Sequence, residues 1–161
     1  MKTPSLIARY LLTRPPVRMS FEFAIVVIVG ILGVVHEWAR LPFSPYSNVL
    51  GGAIFVAGSL FHGRCHRDHR QALDSDDRIE TIVTTGVFSK VRHPMYSSLI
   101  LMYLGLALAW GVAWMVLPAV VFSVDAVMVA FREEDYLLKK LGPEYREYMR
   151  TVPRRFIPHV L

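Results

Sequence analysis

The sequence predicts an all-α integral membrane protein. About four transmembrane helices form a bundle that ends in a helical hairpin and a short cytoplasmic tail helix. Three observations carry this prediction. First, hydrophobic residues fill 53% of the 161 positions and charged residues 19%, against roughly a quarter charged in globular domains; mean hydropathy is +0.38. Second, the charges stand in blocks: Asp125 is the one charged residue in the 37 positions from Met95 to Phe131. As a single helix that run would reach roughly 55 Å, against a bilayer core of about 30 Å, so it must fold back. Third, 17 of the 18 Lys and Arg residues lie in three segments that an even number of spans places on one side of the membrane. These features argue against a soluble domain, a disordered chain and a disulfide scaffold, and the single cysteine, Cys65, has no partner for an internal bridge. The length suits one unit over 1–161, with a two-span part over 18–84 and a hairpin and tail over 85–158.

The elements follow in order. Residues Ser5 to Leu12 read as a short interfacial helix ended by Thr13-Arg14-Pro15-Pro16. The first span runs from about Ser20 to Val35. Its basic flank and apolar core suit a signal peptide, but Val35-His36-Glu37 offers no small-residue cleavage site, so a retained signal-anchor is expected. The second span runs from about Ser47 to Phe61. The long apolar run divides near Trp110-Gly111, where glycine relaxes the helix and Trp110 and Trp114 suit the lipid–water boundary. That division gives a third span over Met95–Ala109 and a fourth over Val112–Phe131, with Pro118 expected to kink the fourth. Positive charge then places both termini in the cytoplasm, together with the loop between the second and third spans. Topology accounts for the net charge of +5 without nucleic acid.

Several clusters carry chemistry. His62, Cys65, His66 and His69 share one helical face, yet the spacing matches no structural zinc motif; a basic helix facing lipid headgroups is expected, with no metal. Asp74 to Glu80 reads as a solvated acidic loop. In the segment Thr84–Tyr96, Gly86 permits a turn and Pro94 suits the first turn of the third span. Arg92, His93 and Tyr96 then converge at a helix N-terminus, as interfacial anchors or as groups around a ligand. The fourth span ends in Arg132-Glu133-Glu134-Asp135, and acids at a helix C-terminus need a compensating cation, such as Arg132, Arg92 or a cationic ligand. Glu133 and Glu134 point about 100° apart, so one can face the bundle and the other water. Asp125 lies deeper and is expected to have a partner or to line a pocket, while Glu22 is expected to snorkel. Gly142 and Pro143 separate two helices, the second carrying Tyr145, Tyr148 and Met149 on one face beside Arg146 and Arg150. That helix suits either a lid over the bundle or a rest on headgroups.

Two blocks together resemble a known pattern. Thr85-Gly86 … Val91-Arg92-His93-Pro94-Met95-Tyr96 opens the hairpin. Arg132-Glu133-Glu134 … Leu141-Gly142-Pro143-Glu144-Tyr145 … Tyr148 … Val152-Pro153 … Pro158 follows it. Over about Thr81 to Pro158 the chain resembles the isoprenylcysteine carboxyl methyltransferase family and the similar phospholipid N-methyltransferases. The resemblance implies a helical membrane bundle with a cytoplasmic S-adenosylmethionine pocket. Gly86, Arg92, His93, Pro94 and Tyr96 would line one side of it. Glu133 and Glu134 would close the other, with Tyr145 and Arg146 over it. Arg92, Glu133, Glu134 and Arg146 are the residues expected to serve the chemistry. The acceptor would be a lipophilic molecule entering between spans from the bilayer. Membrane sterol reductases, which bind NADPH, share a similar C-terminal half, but they are much longer. Their Arg-x-x-Arg-Asp type of pattern stands where this chain has Arg132-Glu133-Glu134, and Leu141 replaces a tail tyrosine. A non-catalytic membrane adaptor of the same scaffold is the third alternative.

Overall fold

Pro15 and Pro16 open the first helix, a position where the missing N–H costs nothing. This helix, α1, runs over Pro15–Val35; α2 spans Tyr46–Asp68, α3 Pro94–Trp110, α4 Val116–Leu141 and α5 Pro143–Thr151, with short 3-10 turns at Gly86–Ser89 and Ala113–Met115. The computed structural model describes residues 15–69 and 81–157. The interfacial helix expected over Ser5–Leu12 and the acidic loop Asp74–Glu80 lie outside the described residues. Among the described residues the fold is all-helical, with no strand beyond an isolated bridge between Arg40 and Val112. Two segments, Val17–Val35 and Ala113–Leu141, are long and apolar enough to cross a bilayer, and Pro94–Trp110 is a shorter apolar helix.

The hairpin breaks where expected. Helix α3 ends at Trp110, and Gly111 caps it in the left-handed region at φ 65°. A side chain there would meet Asn48, whose Nδ2 donates to the Ala109 carbonyl at 2.9 Å. Trp114 faces outward. Pro118 behaves differently from expectation. Helix α4 starts at Val116, so Pro118 sits in its first turn, where an N–H would have had no helical partner and no kink is required.

Helices α2 and α3 pack backbone to backbone. A Cβ at Gly105 would stand 2.6 Å from the Phe55 nitrogen, and one at Gly51 would stand 2.2 Å from the Ala109 nitrogen. Small residues that let helices approach this closely are the usual adhesive where lipid removes the hydrophobic drive. The main core gathers Val26, Leu99, Met102, Tyr103, Val112, Met115 and Ala119. A second cluster of Leu137, Tyr145, Tyr148 and Val152 folds α5 back onto the end of α4.

Two acids within the long apolar helices take partners. Glu22 is buried rather than snorkelling: Arg18 lies 3.3 Å away and the Tyr103 hydroxyl donates to it. Arg18 is also 3.8 Å from Asp125. Removing a charge from water without a counter-charge is expensive, which explains why these three helices bring their ionisable groups together.

Candidate functional site

The site assembles where α3 begins and the apolar part of α4 ends, just beyond Phe131. The chain preceding α3 is shaped by Gly86, at φ 61°. A Cβ at Gly86 would lie 2.1 Å from the Asp68 carboxylate, which instead accepts a hydrogen bond from the Val87 nitrogen at 3.1 Å. Gly86 therefore docks the loop against the end of α2. Five residues past the 3-10 turn, Pro94 starts α3 as its first helical residue.

The tail then straps over this helix start. The Arg92 and His93 nitrogens donate to the Arg154 and Arg155 carbonyls at 2.9 and 2.8 Å. The Ser97 hydroxyl donates to the Phe156 carbonyl at 2.8 Å, and the Tyr148 hydroxyl to the Phe88 carbonyl at 2.8 Å. These contacts pin the tail across the start of α3.

Glu134 is the hub. Its Oε1 accepts from Arg92 Nε at 2.8 Å and from His93 Nε2 at 3.0 Å, and its Oε2 accepts from Arg155 Nε at 3.1 Å. Arg92 also donates to the Val152 and Pro153 carbonyls at 2.8 and 2.7 Å. Both Arg92 and Glu134 are buried, at 6% and 4% exposure. Burial alone would raise the Glu134 carboxyl, but hydrogen bonds from His93 and Arg92, the charge of His93 and a hydrogen bond from Arg155 together hold it down to about 2. Glu134 is thus a carboxylate at neutral pH, and His93 Nε2 must carry the proton that it donates.

That assignment turns His93 Nδ1 toward Glu133, whose Oε2 lies 3.9 Å away. Glu133 is partly exposed, while Glu134 faces inward. The 3.9 Å separation between Nδ1 and Glu133 is too wide for a direct hydrogen bond. The His93 ring is flanked by Tyr96 and Phe156, with centroids 5.7 and 5.8 Å away, and Arg155 covers the Phe131 ring at 4.9 Å.

Of the residues singled out from sequence, Arg92, His93, Glu133 and Glu134 come together, with Pro94 and Tyr96 at the same helix start. Tyr145, on α5, is buried against Leu137 of α4. Burial, then the nearby charges of Glu133 and Glu134, push its hydroxyl up, so it stays neutral. Arg146 is exposed, outside the Glu134 cluster. Sequence reasoning missed Arg155, Phe156 and Ser97. The Val152-Pro153 step, which ends α5 and sends the chain back across α3, was their signal.

A phospholipid methyltransferase family model matches residues 47–144, about three-fifths of the chain. The chain belongs to the phospholipid methyltransferase family. The match covers α2, α3, α4 and the start of α5, and so the whole platform of Arg92, His93, Glu133 and Glu134. Membership supports a membrane methyltransferase, and the two long apolar helices agree with a membrane setting. Two curated relatives are reductases by name. A probable 7-dehydrocholesterol reductase of Acanthamoeba polyphaga mimivirus is 23% identical over 156 residues, 95% of this chain and 33% of that protein. The Delta(14)-sterol reductase TM7SF2 of Mus musculus is 32% identical over 81 residues, 49% of this chain and 19% of that protein. The chain spans a third or less of the length of these relatives.

Proposed function

We propose that this chain is an S-adenosylmethionine-dependent methyltransferase acting on a lipophilic acceptor, embedded through four spans with both termini and the cofactor site cytoplasmic. The observation that carries this reading is the meeting of His93 with Glu133 and Glu134 beside aromatic rings, in a chain of this family. The donor set fits the cofactor: a carboxylate for its ammonium, and ring faces for its adenine or sulfonium. When bound, S-adenosylmethionine supplies an electrophilic methyl group on a sulfonium.

Each residue then has a role. Glu133 binds the cofactor ammonium. Glu134 and Arg92 are positioning residues: both are committed to protein partners, and they hold His93 and the tail in place. Since Arg92 is committed, the exposed Arg146 is the cation assigned to the cofactor carboxylate. Gly86, Pro94, Tyr96 and Tyr145 shape the walls. For an amine acceptor, His93 Nδ1 is the base that takes the proton; a carboxylate acceptor needs none. The rest is alignment and exclusion of water, which contributes about 7–11 kcal/mol in favourable cases.

A second reading, an NADPH-dependent sterol-type reductase, is favoured by the two reductase relatives. Calorimetric titration of detergent-purified protein with each cofactor separates the two. The methyltransferase reading expects saturable S-adenosylmethionine binding, lost in Glu133→Gln and His93→Ala. Saturable NADPH binding alone would replace it with the reductase.

A further inference from the structure

The candidate site leaves out His62 and His66, which stand one turn apart on α2. Their Nε2 atoms lie 3.0 Å from each other, with the rings edge-on at a centroid separation of 4.6 Å. Ser98 on α3, fully buried, decides where the protons sit. Its hydroxyl has one proton and donates it to the Met95 carbonyl at 2.6 Å. It must therefore accept from His62 Nδ1, 2.8 Å away. His62 carries its proton on Nδ1, and its Nε2 lone pair points at His66. A ring held by an Nδ1–H hydrogen bond, with Nε2 presented outward, is how metal-ligating histidines are oriented.

We propose that His62 and His66 form a two-imidazole site for a divalent transition cation such as Zn2+ or Cu2+. Two nitrogens at about 2.0–2.1 Å from zinc in tetrahedral geometry stand about 3.3 Å apart, so the rings need to part by a few tenths of an ångström and to turn until both Nε2 lone pairs meet at the ion. Binding requires the neutral His66 ring to keep its proton on Nδ1 rather than Nε2, with no net proton released. Imidazole suits zinc and copper, whereas Mg2+ and Ca2+ prefer oxygen ligands. No third His, Cys, Asp or Glu among the described residues completes the site. Its remaining positions would be filled by water or by a donor atom of an incoming molecule. Because Ser98 belongs to α3, the site also ties the end of α2 to the helix that His93 caps.

The test uses the untagged full chain in detergent, titrated with Zn2+ by calorimetry and with Cu2+ by electron paramagnetic resonance. The expected result is one ion per chain, with hyperfine structure from two imidazole nitrogens. His66→Ala abolishes binding while its melting temperature in chelator matches the parent, because His66 lies nearer the surface than His62. Ser98→Ala weakens binding by about tenfold or more, since it frees the His62 ring. Absence of saturable binding, or binding unchanged in His66→Ala, would overturn the proposal.

Discussion

Replacing Glu134 by Ala tests the organisation of the site most severely. The substitution removes a buried carboxylate and strands the Arg92 guanidinium, 6% exposed, with only two carbonyls to receive it. Breaking a buried pair by removing one partner typically costs about 3–5 kcal/mol. The pH linkage gives a similar size. A carboxyl lowered from 4.5 to about 2 corresponds to roughly 3 kcal/mol. Its sign is that of a depressed acid: the contribution is fully present above the unfolded value of 4.5 and is lost as pH falls toward 2. For a chain of this length about 1 kcal/mol shifts the melting temperature by about 2–4 °C, so Glu134→Ala should melt about 6–20 °C lower near pH 7. Arg155, 41% exposed, makes the weaker contact, and Arg155→Ala should cost no more than about 1 kcal/mol. Melting curves in detergent at pH 7 and pH 3 measure both effects. A loss under about 1 kcal/mol for Glu134→Ala, or a gap from the parent that does not narrow at pH 3, refutes the hub.

Other outcomes follow from the same geometry. Gly105→Leu drives a side chain into the Phe55 backbone and should cost about 3 kcal/mol or more, seen as a lower melting temperature or aggregation in detergent. Tyr148→Phe removes the bond to the Phe88 carbonyl and should cost about 1–2 kcal/mol, with a melting temperature a few degrees lower. Tyr145 and Tyr148 are pushed up by burial, so an ultraviolet titration compared with Tyr145→Phe and Tyr148→Phe should show both un-ionised in strong base until the fold opens. The sign is that of a raised acid: their stabilising contribution is present below the unfolded value of 10 and is lost above it.

Local chemistry made much of this legible before any coordinates. A 37-residue apolar run has to turn back, and Gly111 is the residue that tolerates the turn. Acids at the C-terminal end of a helix demand a cation, and Arg92 answers Glu134. Adjacent glutamates diverge by 100°, so one faces in and the other out. Contacts made by the chain's return were less visible. Nothing local in Arg155 or Phe156 says that they reach the start of α3, because that depends on where α5 ends. Glu22 reads as a snorkelling acid until Tyr103, 81 positions later, is placed beside it. Pro118 was read against a continuous helix, but the turn at Ala113–Met115 restarts the helix just before it.

The central claim is that the meeting of His93 with Glu133 and Glu134 serves methyl transfer. It is tested most directly by incubating purified protein with radiolabelled methyl donor and a total membrane extract. The account predicts label in an organic-extractable product. It predicts little label with Glu133→Gln, provided that this variant melts with the parent. No transfer by the folded parent protein, or full transfer by Glu133→Gln, would contradict it.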